Sequence, residues 1–198
     1  MDESSDRPLG WAWSRLGELG TWSGGGTPSK ANKAFWSGGS IPWVSPKDMK
    51  CERIKTAEDS ITEEAVEKSS AKMIPEGSVL MVTRSGILAH TFPVAVNECA
   101  VAVNQDLKTL TPHSGVASDY LVWFLRANNY SILKACAKHG TTVASIDTDR
   151  LKNLPVPIAP LSEQSRIVDK IESLFAQLDH GEASLRDVQK LLARYRQS

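Results

Sequence analysis

The chain has 198 residues, of which 41% are hydrophobic, and its 23 basic and 23 acidic side chains give no net charge at pH 7. This composition excludes a wholly disordered chain and a protein that is basic over its whole surface, although it allows a local basic face. The length suits one large domain, or one domain with an appendage.

The cysteines and the N-terminus indicate the compartment. Cys51, Cys99 and Cys136 are odd in number and form no CxxC pair, which is typical of free thiols in a reducing cytosol. The leader MDESSDRPLGW has no apolar signal region, and no apolar run approaches the ~18 residues of a membrane span. We therefore expect a soluble, cytoplasmic protein.

Strand and helix patterns alternate along the first 159 residues. The predicted strands are a short one in IPWVSPKDM, bounded by Pro42 and Pro46, then Ser78–Thr83, VAVNECAVAVN from Val94, Leu107–Leu110 and Thr141–Ile146. The predicted helices are ITEEAVEKSSAKM capped by Thr62, ASDYLVWFLRANNYSILKACA capped by Ser118 or Asp119, and DTDRLKNL. Because both types intermix, the sequence predicts one globular α+β domain over residues 1–159.

A proline-rich segment, NLPVPIAP, follows from Asn153. Each proline fixes its own φ and disfavours helix at the preceding residue, so we expect irregular backbone up to Pro160. A rigid segment of this kind would fix the direction of whatever follows. Ser162 is the expected N-cap of a helix that continues to the end of the chain.

Apolar residues recur in a heptad pattern along this second unit, residues 160–198. About 36 helical residues extend for roughly 54 Å, farther than such a domain is wide, so we expect the helix to project and to need a partner helix. Gly181 stands at the one missing core position, which predicts either a bend or a close approach of the partner. The positions expected to form an exposed helix interface are Ile167, Ile171, Leu174, Leu178, Leu185, Val188, Leu192 and Tyr195.

Basic side chains are concentrated in polar loops such as SGGGTPSKANKAFW, TRSG and AKHGTTVAS. Lys, Arg, Ser, Thr, Asn and backbone amides are the groups that contact phosphates and base edges in DNA. Solvated loops are the alternative interpretation of the charge pattern alone. The candidate DNA contacts are Lys30, Lys33, Lys47, Arg84, Ser85, Lys138, His139, Thr141 and Thr142.

Individual roles can be assigned to some of these candidates. Lys30 and Lys33 are predicted to contact phosphates. Arg84 is the candidate for a bidentate base contact, with a structural salt bridge as the alternative. Trp36 and Trp43 flank the first basic loop, and Trp43 is expected to lie buried beneath it.

No pattern typical of catalysis or metal binding is found in the sequence. The histidines His90, His113, His139 and His180 are scattered, the GGG run lacks a nucleotide-binding context, and no GxSxG or [DNS]PP[YFW] motif occurs. We therefore expect a binding protein with no catalytic residues and no metal or cofactor of its own.

The stretch NLPVPIAPLSEQSRIVDKIESLFAQLD, followed by LLARYRQS, closely resembles the central region of specificity subunits of type I restriction–modification systems. GW near the start, GGTPS, IPWVSPKDM, IPEGSVLMVTRSG, NQDLKTL and GTTVASID are also similar. The resemblance covers essentially the whole chain, and the PLSEQ helix is its most specific part.

The resemblance implies that residues 1–159 form a target recognition domain, which reads one half of a bipartite DNA site, and that the helix is a coiled-coil spacer. It also implies docking to methyltransferase subunits, which carry S-adenosylmethionine, and then to restriction subunits, with no catalysis by this chain. Complete subunits carry two such domains and two helices, so we expect a truncated or half subunit whose partner is a second recognition half or another copy.

Two alternatives remain open at this point. The first is a helical assembly adaptor whose N-terminal domain binds protein rather than DNA. The second, an independent DNA methyltransferase, is disfavoured because the cofactor and catalytic motifs are absent from the sequence.

Overall fold

The computed structural model describes residues 8–138 and 143–195, with the backbone alone at 191–194. Within this part of the chain, eleven strands are present: β1 (Ala12–Arg15), β2 (Gly20–Gly24), β3 (Ile41–Val44), β4 (Arg53–Ile54), β5 (Asp59–Ile61), β6 (Met73–Ile74), β7 (Val79–Val82), β8 (Val94–Asn97), β9 (Val101–Val103), β10 (Leu107–Pro112) and β11 (Pro155–Ile158). The α-helices of the same part are α1 (Glu63–Lys68), α2 (Ser118–Ala127), α3 (Asn129–Cys136), α4 (Thr148–Lys152) and α5 (Leu161–Tyr195). Short 3₁₀ helices occupy Leu16–Glu18, Lys33–Phe35, Pro46–Asp48 and Gly86–Ala89.

Two sheets form the body of the protein. The larger has the strand order β2-β10-β7-β8-β4, and the smaller has the order β5-β3-β9-β6. The central strands β7, β8 and β9 are buried on both faces, as their unbroken runs of Val, Leu, Met and Ala require. Helix α2 packs on β7 and β8 and closes the main core. The mixed α/β fold predicted from the sequence is therefore confirmed.

A second, smaller core lies beside the 3₁₀ helix Lys33–Phe35. It contains Phe35, Trp43 and Ile61. Trp43 is 5% exposed, its Nε1 donates to the Gly26 carbonyl at 3.0 Å, and its ring meets Trp36 edge-on at 5.2 Å. The predicted burial of Trp43 beneath the glycine-rich loop is confirmed.

The proline-rich segment forms a strand, contrary to the expectation of irregular backbone. Pro155–Ile158 pairs antiparallel with Ala12–Arg15 in a two-stranded ribbon. Pro155 and Pro157 are two residues apart, so their nitrogens, which carry no hydrogen, face the same edge of the strand. Since β11 has a single neighbouring strand among the described residues, that edge needs no donor.

Several helix boundaries differ from the predicted ones. The predicted helix after Ser118 is two helices, because Asn128 ends α2 and its side chain donates to the Phe124 carbonyl at 2.8 Å. Ala117, not Ser118 or Asp119, is the N-cap of α2. Helix α5 begins at Leu161, so Ser162 lies inside its first turn and is not its cap. The Thr62 cap is confirmed, with Oγ1 accepting from the Ala65 amide at 3.3 Å.

Part of the predicted strand Thr141–Ile146 can be compared with the structure. Thr141 and Thr142 lie outside the described residues. Ser145 and Ile146 form isolated bridges with Arg84 and Ala137. These bridges place the end of the segment against the loop that follows β7.

Helix α5 continues through Gly181 for 35 residues, about 52 Å at 1.5 Å per residue. Its N-terminal part contacts α2, and Gln164 and Val168 are buried there. Every side chain described from Glu172 onward is exposed. A Cβ at Gly181 would meet no atom outside the local helix backbone within 4 Å. The predicted long helix at the C-terminal side is therefore confirmed.

Candidate nucleic-acid interface

Two exposed lysines and a tryptophan surround a shallow depression beside the second core. Lys30, Lys33, Trp36, Ser37 and Asp59 line it. The Lys30 Nζ lies 6.0 Å from the centroid of the Trp36 ring, at the edge of cation–π range. Neither lysine forms an ion pair within the described part of the chain. Both ammonium groups are therefore available to an anion.

Lys47 forms ion pairs with two carboxylates, unlike Lys30 and Lys33. Its Nζ lies 3.0 Å from Glu58 Oε2 and 3.0 Å from Asp59 Oδ2. Hydrogen bonds to Asp59 and then Glu58 raise the pKa of Lys47 above its ordinary value. The acidic run that follows in sequence thus offsets this lysine, which weakens the prediction that Lys47 contacts DNA.

A second depression is lined by polar groups from several loops. Its lining residues are Pro46, Arg84, Ser85, Gln105, Asp106 and Val143. The Arg84 amide donates to the Asp106 carbonyl at 3.2 Å, which fixes the backbone while the side chain is exposed. The guanidinium forms no ion pair with any residue of 8–138 or 143–195, so the salt-bridge alternative for Arg84 finds no support there.

Ser85 and Gln105 differ in what they can offer a ligand. Ser85 Oγ accepts from the Ile87 amide at 3.4 Å, so this hydroxyl also caps a 3₁₀ turn. Gln105 is exposed, and its Oε1 accepts from Thr27 of the glycine-rich loop. The sequence analysis missed Gln105, although the polar triplet Asn-Gln-Asp between two apolar strands is a signal that could have identified it.

A side-chain ion pair links the two depressions, and backbone hydrogen bonds link the second depression to the segment near Lys138. Pro46 lines one depression, and its neighbour Lys47 binds Asp59 of the other. The Ser85 amide donates to the Ala144 carbonyl at 3.0 Å, and the Lys138 amide donates to the Ser145 carbonyl at 2.9 Å. We call this surface the loop face. It comprises Lys30, Lys33, Lys47, Arg84, Ser85, Gln105 and the backbone at Lys138. His139, Thr141 and Thr142 lie outside the described residues.

Other basic residues of the same sequence segments lie away from the loop face. Arg53 Nη2 lies 3.0 Å from Asp119 and 3.2 Å from Glu172, and Lys55 pairs with Glu98 at 3.1 Å. Charge counted along the sequence therefore overestimated the basic surface, because side chains distant in sequence neutralise part of it.

The heptad positions divide into a packed and an exposed group. Ile167 packs against the main core and Ile171 is half-buried, so the predicted exposure is wrong at these two positions. Leu174, Leu178, Leu185, Val188 and Tyr195 are 45–80% exposed, as predicted. We call these five residues the seam. The side chain of Leu192 lies outside the described residues.

An aromatic contact beside the seam was not predicted. The rings of Trp123 and Phe175 stack with centroids 5.2 Å apart and planes inclined by 13°. Arg126 lies 5.6 Å from the Trp123 ring, so the stack also carries a cation. This contact joins α2 to α5 just before the helix leaves the domain.

Among residues 8–138 and 143–195, no cluster of His, Cys, Asp or Glu side chains could hold a metal ion. In the same residues no helix is long and apolar enough to cross a membrane.

Comparison with known proteins identifies related chains. The Type I restriction enzyme EcoR124I/EcoR124II specificity subunit of Escherichia coli is 43% identical over 172 residues, which cover 85% of this chain and 43% of that protein. The MjaIX specificity subunit of Methanocaldococcus jannaschii is 31% identical over 163 residues, 81% of this chain and 37% of that protein. The chain thus spans less than half the length of these relatives.

Solved structures show the same fold. A chain described under "Structural basis underlying complex assembly and conformational transition of the type I R-M system" aligns with a TM-score of 0.70 at 25% identity, over 97% of this chain and 46% of its own length. The HsdS subunit from Thermoanaerobacter tengcongensis aligns with a TM-score of 0.66 at 23% identity, over 91% of this chain and 41% of that chain.

A family match covers most of the sequence. Residues 8–186 match the family described as the Type I restriction modification DNA specificity domain. This match confirms the resemblance inferred from the PLSEQ helix and the motifs before it. The chain therefore belongs to the family of type I restriction modification DNA specificity domains.

Proposed function

We propose that this chain recognises one half of a bipartite DNA target through the loop face. The observation that carries the proposal is the depression in which Arg84 and Gln105 stand together, exposed, with the guanidinium free of ion pairs among the described residues. Arg recognises guanine and Gln recognises adenine through paired hydrogen bonds in the major groove. Family membership favours DNA over the protein-binding adaptor as the interpretation.

Phosphate contacts fall to the lysines around this depression. Lys30 and Lys33 supply mobile point charges, and Lys47 supplies a charge already shared with Glu58 and Asp59. Ser85, Lys138, His139, Thr141 and Thr142 complete the proposed interface. Phosphate contacts fix the position of a protein on DNA, whereas base contacts provide its specificity.

The chain works within a larger assembly in this proposal. Residues 1–159 form the recognition domain and residues 160–198 the spacer, whose seam packs on a second spacer helix or on another copy. Methyltransferase subunits, which bind S-adenosylmethionine, dock on this pair, and restriction subunits join them. The chain itself contributes no catalytic residue, and the assembly acts in the cytoplasm, where its DNA is.

A binding titration across salt concentrations tests the DNA proposal. Fluorescence anisotropy with a mixed-sequence duplex should show log Kd rising linearly with the logarithm of the salt concentration. The reason is that lysines which bind phosphates release the counterions condensed on the DNA. Replacing both Lys30 and Lys33 with Ala should reduce that slope by about 2. The matched control replaces Arg186 and Lys190, two exposed basic residues on α5, and should leave the slope unchanged. Absence of any salt-dependent binding by the parent chain would favour the adaptor.

A further inference from the structure

The base of α5 is attached to the domain by a buried side chain. Gln164 is fully buried, and its Oε1 accepts from the Ala117 amide at 2.8 Å. Its Nε2 donates to the carbonyls of Gly115 and Ala159 at 2.9 and 2.8 Å. These bonds fix one point of the helix against the start of α2 and the end of the proline strand.

A second attachment lies two turns farther along the helix. The guanidinium of Arg53, on the edge strand β4, lies 3.2 Å from Glu172 of α5 and 3.0 Å from Asp119 of α2. Its other terminal nitrogen lies 3.5 Å from Glu98. One planar cation thus joins carboxylates of α2, of α5 and of the residue after β8, a geometry that an Arg fork provides and a Lys point charge does not.

The distance between the two attachments determines what each one does. Along the helix axis, Glu172 lies about 12 Å from Gln164, and Tyr195 lies about 46 Å from Gln164. When α5 pivots about Gln164, a displacement of 1 Å at Glu172 becomes about 4 Å at the far end of the helix, so the Arg53 contact acts together with the Trp123–Phe175 stack just beyond Glu172. Exposed ion pairs add little to the free energy of unfolding, so the main consequence of the Arg53 contact is its effect on the angle between α5 and the domain.

We propose that Arg53 is a positioning residue that sets the direction of α5 by holding Glu172 against Asp119. Its relevance to DNA spacing rests on the proposed function, whereas the effect on helix direction does not. Within the described part of the chain, the neighbouring Lys55 pairs with Glu98 and forms no ion pair with the helix. Lys55 is therefore the matched control for Arg53.

Distance measurements within one chain test the proposal. One spin label replaces Lys72 in the domain, and a second replaces Ala183 on the side of α5 opposite the seam. Both are introduced as non-natural amino acids, so the native cysteines need not be mutated. Labelled chain is diluted with unlabelled chain, so that only intramolecular distances are recorded. Arg53→Ala and Glu172→Ala should each broaden or shift the distribution, by about 2 Å at Ala183 for each ångström of slack at Glu172. Lys55→Ala should leave it as in the parent.

Further measurements separate direction from folding and from DNA recognition. The melting temperature should change little in these variants, and the double variant Arg53→Ala/Glu172→Ala should be no broader than either single one, because both remove the same contact. An Arg53→Ala distribution equal to that of Lys55→Ala overturns the proposal. In the complete methyltransferase, Arg53→Ala should methylate targets with altered spacer lengths at least several-fold better relative to the parent target. An altered distance distribution without DNA binding by the parent would reject the proposed function and leave the positioning role intact.

Discussion

Arg84 and Lys30 should respond differently to substitution, because one is proposed to contact bases and the other phosphates. Arg84→Ala should cost about 1–3 kcal/mol of discrimination at one base pair, since a bidentate contact is lost. Lys30→Ala should weaken binding to all sequences equally and reduce the salt slope by about 1. Competition binding with single-base target variants measures both effects. The exposed position of both side chains predicts unchanged folding.

The outcome that rejects Arg84 as a base contact is specific. If Arg84→Ala keeps the full preference for its target while Lys30→Ala behaves as expected, the DNA lies on the loop face and another side chain distinguishes the bases. Gln105 is then the next candidate, because it lines the same depression.

Trp43 is expected to stabilise the fold rather than to contact DNA. It is 5% exposed, and its indole N–H satisfies the Gly26 carbonyl. Trp43→Ala should reduce the free energy of unfolding by about 3–5 kcal/mol, measured by denaturant titration. Trp36→Ala is the matched control, because Trp36 is only half-buried and donates to the Ser29 carbonyl from the edge of the same core. A Trp43→Ala variant with parental stability but no DNA binding would assign Trp43 to the interface.

At the site, residue type was predictable from the sequence and residue pairing was not. Arg84, Lys30 and Lys33 stand in polar loops whose composition identifies them. Lys47 stands in a similar loop, yet its carboxylate partners come from β5 and the residue before it. This contact depends on the pairing of β3 with β5 in the smaller sheet. The polar triplet around Gln105 is visible in the sequence, but its hydrogen bond with Thr27 and its place beside Pro46 depend on the tertiary structure.

The elements were predicted best where one local signal decides the conformation. The buried run of β7 and the heptad of α5 follow from local patterns, which need no knowledge of neighbours. The segment VAVNECAVAVN, predicted as one strand, is instead two strands, β8 and β9, which lie in different sheets. The proline strand β11 could not be inferred in this way. Proline is permitted in a strand only where its nitrogen faces the unpaired edge, and which edge of β11 pairs with β1 is set by the tertiary structure. Asn128 likewise breaks a periodic apolar pattern through one side-chain hydrogen bond.

Gln164 provides a prediction with a defined pH dependence. In Gln164→Glu one carboxyl oxygen can still accept from the Ala117 amide. The second oxygen takes the place of the Gln164 Nε2 group, which donates to the carbonyls of Gly115 and Ala159. Burial and those carbonyls should raise the pKa of the new carboxyl in the folded state. The variant is therefore most stable below the unfolded pKa of about 4.3. It loses stability as pH rises toward the raised folded pKa.

The size of this effect can be checked against an uncharged variant. At neutral pH the buried carboxylate should cost about 3–5 kcal/mol of unfolding free energy relative to the parent. Gln164→Leu also loses the hydrogen bonds, but it should show no pH dependence beyond that of the parent. Denaturant titrations from pH 4 to 8 measure the difference. A pH-independent loss in Gln164→Glu would mean that the site relaxes and admits water.

The exposed seam predicts self-association of this chain. Leu178→Glu together with Leu185→Glu places two charges in an apolar stripe and should abolish both self-association and methyltransferase docking. Both residues are more than half exposed, so the monomer should fold normally. Light scattering and a methyltransferase pull-down measure the two effects, with DNA binding by the domain retained.

The control places the same charges on the opposite side of the helix. Ala176→Glu with Ala183→Glu adds two glutamates at exposed positions away from the seam. This variant should associate like the parent. If both double variants assemble normally, the contact surface lies elsewhere. If both fail, charge in general is responsible and the seam has no special role.

At the scale of the whole molecule, the proposed DNA-binding surface and the seam lie on different parts of one chain. The loop face belongs to the domain, and the seam belongs to the part of α5 whose side chains are exposed. Between them stand Gln164, Arg53 and the Trp123–Phe175 stack, which fix the helix to α2 and β4. These contacts suit the proposed role, in which the helix holds two recognition domains at a set distance.

Pairing of two identical chains has a consequence for the DNA target. A two-fold axis through an antiparallel pair of α5 helices relates the two loop faces, so each contacts the same bases on opposite strands. The target should therefore be an inverted repeat interrupted by base pairs that neither domain contacts. Methylome sequencing of cells that express this chain with its methyltransferase subunit, and with no other specificity subunit, identifies the modified motif. A motif with two different halves would contradict copy–copy pairing, and modification at a single half-site would contradict pairing through the seam altogether.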